Sequence, residues 1–192
     1  MYKRYYRMML FLIFIHVLLF GCAKPPTEEM IKAEKAIDEA KQVQADIFAN
    51  DVFMRAEESF QSAKKSVAER KYEEARLIAL DTYHLAGQSV AIASINKENI
   101  VNETEHGIQD IRLTINELKS IEAQSFSKRA SIQYDELQEI LTKLETELGN
   151  IKERLRNNEV MAARDDLKSL NSEIQGLKQD VSVSLQAKKK KR

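Results

Sequence analysis

The chain has 192 residues, 43% of them hydrophobic, with 30 basic and 30 acidic side chains. That balance hides a segregation, because Lys3, Arg4 and Arg7 open the chain, five cations close it, and residues 22–187 hold 22 basic against 30 acidic groups, a net charge of −8. An acidic body argues against a nucleic-acid role for the whole protein, and five glycines isolated from one another leave no glycine-rich phosphate cradle. The breaker-poor, Ala-, Glu-, Lys- and Leu-rich remainder predicts helix nearly throughout.

The first element is apolar and short. Met8 to Phe20 carries no polar side chain except His16, and thirteen helical residues reach roughly 20 Å against the ~30 Å of a bilayer core. A cationic start, a short apolar middle and small residues at the end predict a signal peptide over residues 1–21. Leu19-Phe20-Gly21-Cys22 resembles the lipobox of bacterial lipoproteins. The resemblance implies cleavage between Gly21 and Cys22, a diacylglyceryl group on the Cys22 sulfur and an acylated new amino terminus. Several acyl chains at ~0.8 kcal/mol per buried methylene make such an anchor permanent in practice. Cys22 is the only cysteine, so an intrachain disulfide has no partner. Ala23, where aspartate is absent, resembles lipoproteins sent to the outer membrane, and the expected location is the periplasmic face of that membrane.

Residues 22–26 then form a lipidated tether whose last four residues reach roughly 13 Å. Thr27 is the expected N-cap of a first helix, with Glu28 and Glu29 at its positive end. Its stripe runs Met30, Ala33, Ala36 or Ile37, Ala40, Val43 or Ala45, and Ile47. Ala49-Asn50-Asp51 is the expected break, with Asn50 or Asp51 capping the second helix. The spacing of Phe53, Ala56, Phe60, Ala63 and Val67 predicts that helix, and a turn near Glu69–Lys71 leads into one long helix from about Tyr72 to about Ile121. A bend near Asn96–Asn102 is the alternative. Residues 27–123 thus form a first hairpin region and 124–131 a polar linker. Residues 132–186 form a second hairpin on a strict seam of Leu137, Leu141, Leu144, Leu148, Ile151 and Leu155. Its turn falls at Arg156–Asn158, and 187–192 is a basic tail.

The two hairpins align at an offset of 88. Phe53, Ala56, Phe60, Ala63 and Val67 become Leu141, Leu144, Leu148, Ile151 and Leu155, and Ala75-Arg76 becomes Ala163-Arg164. An internal repeat is the better of the two explanations, heptad coincidence the other. The stretch Ala63-x-x-Ser66-x-x-Glu69-x-Lys71-Tyr72-Glu73-Glu74-Ala75-Arg76 resembles the helical-hairpin lipoproteins grouped as domain of unknown function 4398, whose turns are similar to tetratricopeptide hairpins. It covers about Thr27 to Ala93, with Arg70-Lys71 where such turns usually carry Gly-Asp or Gly-Asn. It implies an envelope location and a helical fold, and no activity.

Candidate sites are few. His106, with Glu103 three before and Asp110 four after, can share one helical face with both; solvated surface charge is the commoner meaning of that spacing. His84 beside Asp81 reads as a solvated pair. No catalytic serine, cysteine or carboxylate pair stands out, so no enzyme, metal or cofactor is expected. Lys188, Lys189, Lys190, Lys191 and Arg192 are either a solubilising end or a contact with an anionic envelope polymer or headgroup, at about 1 kcal/mol per cation near a charged membrane surface. A basic end on a helical lipoprotein also resembles the murein lipoproteins, although Arg192 replaces their terminal lysine. The expected fold is all-α: elongated antiparallel hairpins in a coiled-coil-like bundle with one long central helix. The expected function is a non-enzymatic, lipid-anchored spacer or protein-interaction module. The alternative is a module contacting peptidoglycan or anionic lipid through the tail. The expected partners are the membrane, through the anchor, and peptidoglycan or another envelope protein, with no nucleic acid. A monomer is favoured over a homodimer because the short turn lets the seams close within one chain.

Overall fold

The computed structural model describes residues 24–126 and 132–189, with side chains to Gln186. The signal segment, Cys22, residues 127–131 and Lys190–Arg192 lie outside them. Among the described residues there is no strand, and six α-helices follow in order: α1 Thr27–Gln42, α2 Ala45–Phe48, α3 Asn50–Ala68, α4 Tyr72–Lys119, α5 Tyr134–Arg156 and α6 Val160–Lys189. The fold is all-α with a long central helix. Its 48 residues run unbroken through the three asparagines at 96, 99 and 102.

The described residues up to Ser94 pack as one compact unit and those from Ile95 as a second. The division falls inside α4, not in the segment 124–131. The reason lies in the apolar stripe of that helix, where Ile108, Ile111, Ile115 and Leu118 enter the same core as Leu141, Leu144, Ile151, Leu170 and Ile174. The second half of α4 thus joins the carboxyl-terminal hairpin.

In the first unit the helix starts and stops differ from those predicted. Pro26, not Thr27, is the N-cap of α1, and Thr27 is its first helical residue. The helix ends at Gln42, because Gln44 takes a left-handed φ of 62°. Continuing the stripe of Ala33, Ala36 and Ala40 would have turned Gln44 into the core four residues on. The break instead faces Ala45, Phe48 and Ala49 inward and leaves Ile47, expected on the stripe, 49% exposed. Ala49 is the N-cap of α3, without side-chain help. Asn50 donates from Nδ2 to the Asp46 carbonyl at 2.9 Å instead of capping. The core here is built mostly of alanines, Ala56, Ala63, Ala75, Ala79, Ala86 and Ala93, around Phe53 and Phe60. Buried hydroxyls are satisfied locally: Ser89 donates to the Ala86 carbonyl at 2.7 Å, and Thr82 Oγ1 lies 2.8 Å from Ser59 Oγ across the hairpin and 2.9 Å from the Ile78 carbonyl.

The hairpin turns of the two units are the same turn. The Lys71 N–H donates to the Ser66 carbonyl at 2.9 Å and the Arg70 N–H to the Val67 carbonyl at 3.0 Å. In the second unit Glu159 donates to Arg154 at 2.9 Å and Asn158 to Leu155 at 3.1 Å. Both are Schellman motifs, and all four donors and acceptors correspond at the offset of 88. The buried positions correspond too, Ala75, Ala79, Thr82, Ala86, Ser89 and Ala93 with Ala163, Leu167, Leu170, Ile174, Leu177 and Val181. The first helix of each unit adds a second correspondence, at an offset of 75: Ala33, Ala36 and Ala40 with Ile108, Ile111 and Ile115, all buried. Each unit is therefore a hairpin with a third helix laid on it. Even a surface pair recurs, since Lys41 meets Glu57 at 2.8 Å and Lys119 meets Glu145 at 2.7 Å, with the two glutamates at equivalent positions.

The link from third helix to hairpin differs between the units. In the first it is the short α2. In the second a 3₁₀ turn at Ala123–Ser125 leads to Phe126, buried with its ring edge-on to Tyr134 at 6.1 Å. Ile132 is also buried, and its N–H donates to Ser184 Oγ at 3.3 Å.

Candidate functional site

Gly21 and Cys22 lie outside the described residues, as do Lys190, Lys191 and Arg192. Lys188 and Lys189 continue the helical backbone of α6 to its end, where a helix C-terminus favours cations. Among the described residues no helix is long and apolar enough to cross a membrane.

The histidines are separated. His84 is exposed and stacks edge-on against Tyr83 at 5.6 Å. His106 does not share a site with Glu103 and Asp110. Those two carboxylates border a shallow depression with Arg164 and Lys168 on the α6 side of α4. His106 instead borders a different cleft, on the α5 side. Residues three and four along a helix neighbour one another on its surface, but here two packing partners divide that surface between them. Among the described residues no three His, Cys, Asp or Glu side chains are gathered in a way that could hold a metal ion.

The cleft beside His106 is the larger of the two, about 550 Å³. It lies wholly within the second unit, where the middle of α4 crosses the last turn of α5. Val101, Ile108 and Leu155 supply its apolar lining, and Asn102, Glu105 and Gln109 join His106 on α4. Across from them α5 contributes Lys152 and Arg156. These cations were missed in sequence, where Arg156 reads only as a turn residue. The available signal was their spacing of four on the polar side of the α5 seam.

Five other cations of this unit, Lys119, Lys143, Arg154, Arg164 and Lys178, are paired with carboxylates. Lys143 reaches Glu173 at 3.0 Å and Glu147 at 3.4 Å, and the hydrogen bonds it donates to both carboxylates raise its pKa above the usual lysine value. Arg154 meets Asp166 at 3.0 Å, and Lys178 meets Glu117 at 3.7 Å. Lys152 and Arg156 form no ion pair among the described residues.

Compared with known proteins, the chain matches no family model, no curated protein and no solved structure.

Proposed function

We propose that this chain is a lipid-anchored, non-enzymatic protein of the bacterial cell envelope, acting as a helical spacer or protein-interaction module on the periplasmic side of the outer membrane. The observation that carries the reading is Leu19-Phe20-Gly21-Cys22 at the end of the one long apolar run, with four residues between Cys22 and the start of α1 at Thr27. A tether reaching roughly 13 Å would hold the first unit close to the headgroups. Two side-chain-filled three-helix units suit a scaffold whose outer faces make the contacts. The resemblance of the first hairpin to the lipoproteins of domain of unknown function 4398 is part of the same proposal.

The test is fractionation of the Cys22→Ala variant. It should leave the membrane fraction, or remain unprocessed with its signal peptide attached. A mature, membrane-bound Cys22→Ala protein would overturn the anchor.

A second reading rests on the five consecutive cations that close the chain, the first two of them at the end of a helix. It makes the tail a contact for peptidoglycan or anionic lipid. Deleting Lys188 to Arg192 should then weaken sedimentation with purified cell wall, and added salt should do the same. Sedimentation indifferent to both leaves the plain spacer.

A further inference from the structure

We propose that the cleft between the middle of α4 and the last turn of α5 binds a phosphate ester that carries an apolar group. The inference does not rest on the anchor. Its volume of about 550 Å³ falls within the usual range of small-ligand sites, ~300–1,000 Å³. Its chemistry has two halves. Half-buried Val101 and Leu155 give an apolar wall, which Ile108 borders from the core. Lys152 and Arg156 give two cations from successive turns of one helix.

Lys119, Lys143, Arg154, Arg164 and Lys178 of the same unit each lie within 4 Å of a carboxylate. Among the described residues Lys152 and Arg156 meet none, although 30 acidic residues populate the chain. Arg112 and Lys168 of the same unit share that; what sets Lys152 and Arg156 apart is that both line this one cleft. An ammonium and a guanidinium a helical turn apart suit an oxyanion, and the planar fork of arginine matches two phosphate oxygens at once. The amides of Asn102 and Gln109 add neutral donors on the facing helix. A phosphate ester presents its non-bridging oxygens around a tetrahedral centre, so the guanidinium fork, the ammonium and these amides can each reach an acceptor from a different side. Glu105, the single acidic group in the lining, suits a ligand hydroxyl, for which it is an acceptor. A glycerophosphate with an apolar tail combines these features, and it can come from a lipid headgroup or from a free phosphorylated metabolite.

The test is titration of the ¹⁵N-labelled protein, followed by amide shifts at constant ionic strength. One arm uses dihexanoyl phosphatidylglycerol below its micelle concentration and the other glycerol 3-phosphate. Saturable shifts confined to Val101–Gln109 and Lys152–Arg156 are expected. If the lipid arm binds more tightly, the apolar wall is occupied and the source is a lipid; equal binding in both arms leaves that wall unused and overturns the apolar half of the proposal. The Lys152→Ala/Arg156→Ala variant should bind about tenfold or more weakly with an unchanged circular dichroism spectrum. Arg156→Lys, which keeps the charge and loses the fork, should fall between. No saturable shift, shifts centred elsewhere, or variants that bind like the parent would overturn the proposal.

Discussion

Arg70 and Asn158, 88 positions apart, hold the same left-handed backbone conformation, with φ of 60° and 66°. Each closes its helix with the same pair of backbone hydrogen bonds. The turn is thus defined by main-chain geometry, and the side chain at its centre is under no demand except to tolerate positive φ.

Tolerance differs between the two. Asparagine adopts this conformation readily, whereas a long unbranched side chain pays roughly 1–2 kcal/mol in contacts with its own carbonyl. Part of any gain from glycine is lost to greater freedom in the unfolded chain. Arg70→Gly should therefore raise stability by several tenths to about 1 kcal/mol, and Asn158→Gly by less. Urea denaturation checks both, and a lower midpoint for Arg70→Gly would show that the turn is held by something other than its backbone.

The repeats put different residues at equivalent buried positions, and Ala56 and Leu144 are both fully buried. Leu144→Ala should cost about 2–5 kcal/mol through lost burial and a cavity. The reciprocal Ala56→Leu should also destabilise, by about 1–3 kcal/mol, because its surroundings are filled by neighbouring helices. If Ala56→Leu stabilises, the first core is underpacked.

Much of this fold was legible in the sequence. The seam Leu141, Leu144, Leu148 and Ile151 announces itself because large apolar residues recur at helical spacing with polar ones between. The turns at 69–71 and 156–158 follow from where that spacing loses its polar complement. Gln44 was not legible, since nothing local marks it as left-handed. The break there is decided by which of Gln44 and Ala45 reaches the core, a tertiary question. Thr27 failed as a cap for a related reason: Pro26 fixes the entry one residue earlier. The cleft required knowing that α4 lies across α5, which separates His106 from its sequence neighbours Glu103 and Asp110 and sets it near Lys152.

Glycines separate by what lies beside them. A Cβ at position 107 would stand 2.6 Å from Cδ2 of Leu167, while at 87, 149 and 176 it would meet nothing within 4 Å. Gly87→Ala, Gly149→Ala and Gly176→Ala should each stabilise by about 0.5–1 kcal/mol, the propensity difference in a helix interior. Gly107→Ala should gain nothing or lose up to about 1 kcal/mol as Leu167 is displaced. Thermal melts of the four variants distinguish these outcomes, and a gain at 107 equal to the others would mean that Leu167 moves freely.

Acid and alkaline limits follow from exposed pairs. Hydrogen bonds from Lys32, Lys71 and Arg76 hold Glu28, Glu69 and Glu73 below the ordinary carboxylate value of 4.5. Their stabilisation is present above that value and lost as pH falls through the lowered ones. Lys32, Lys41, Lys71 and Lys143 are raised above 10.5, chiefly by hydrogen bonds to Glu28, Glu57, Glu69 and Glu173. Theirs is present below 10.5 and lost as pH rises through the raised values. Solvent screening keeps these contributions small. The melting temperature should be flat between about pH 5.5 and 9.5, with shallow losses outside. In Glu28→Gln/Glu69→Gln/Glu73→Gln the acid loss should shrink, and an unchanged acid limb would assign it to other carboxylates.

Phe126 and Ile132 are both buried, one against Tyr134 and the other bonded to Ser184, with only five residues between them. Because residues 126 and 132 are themselves held in the core, a peptide inserted between them should leave the packing on either side intact. Closure entropy grows only with the logarithm of length, so doubling the connection costs about 0.6 kcal/mol. An epitope or fluorophore-binding peptide inserted there would report on this protein in living cells without touching the proposed lipid anchor or the basic tail.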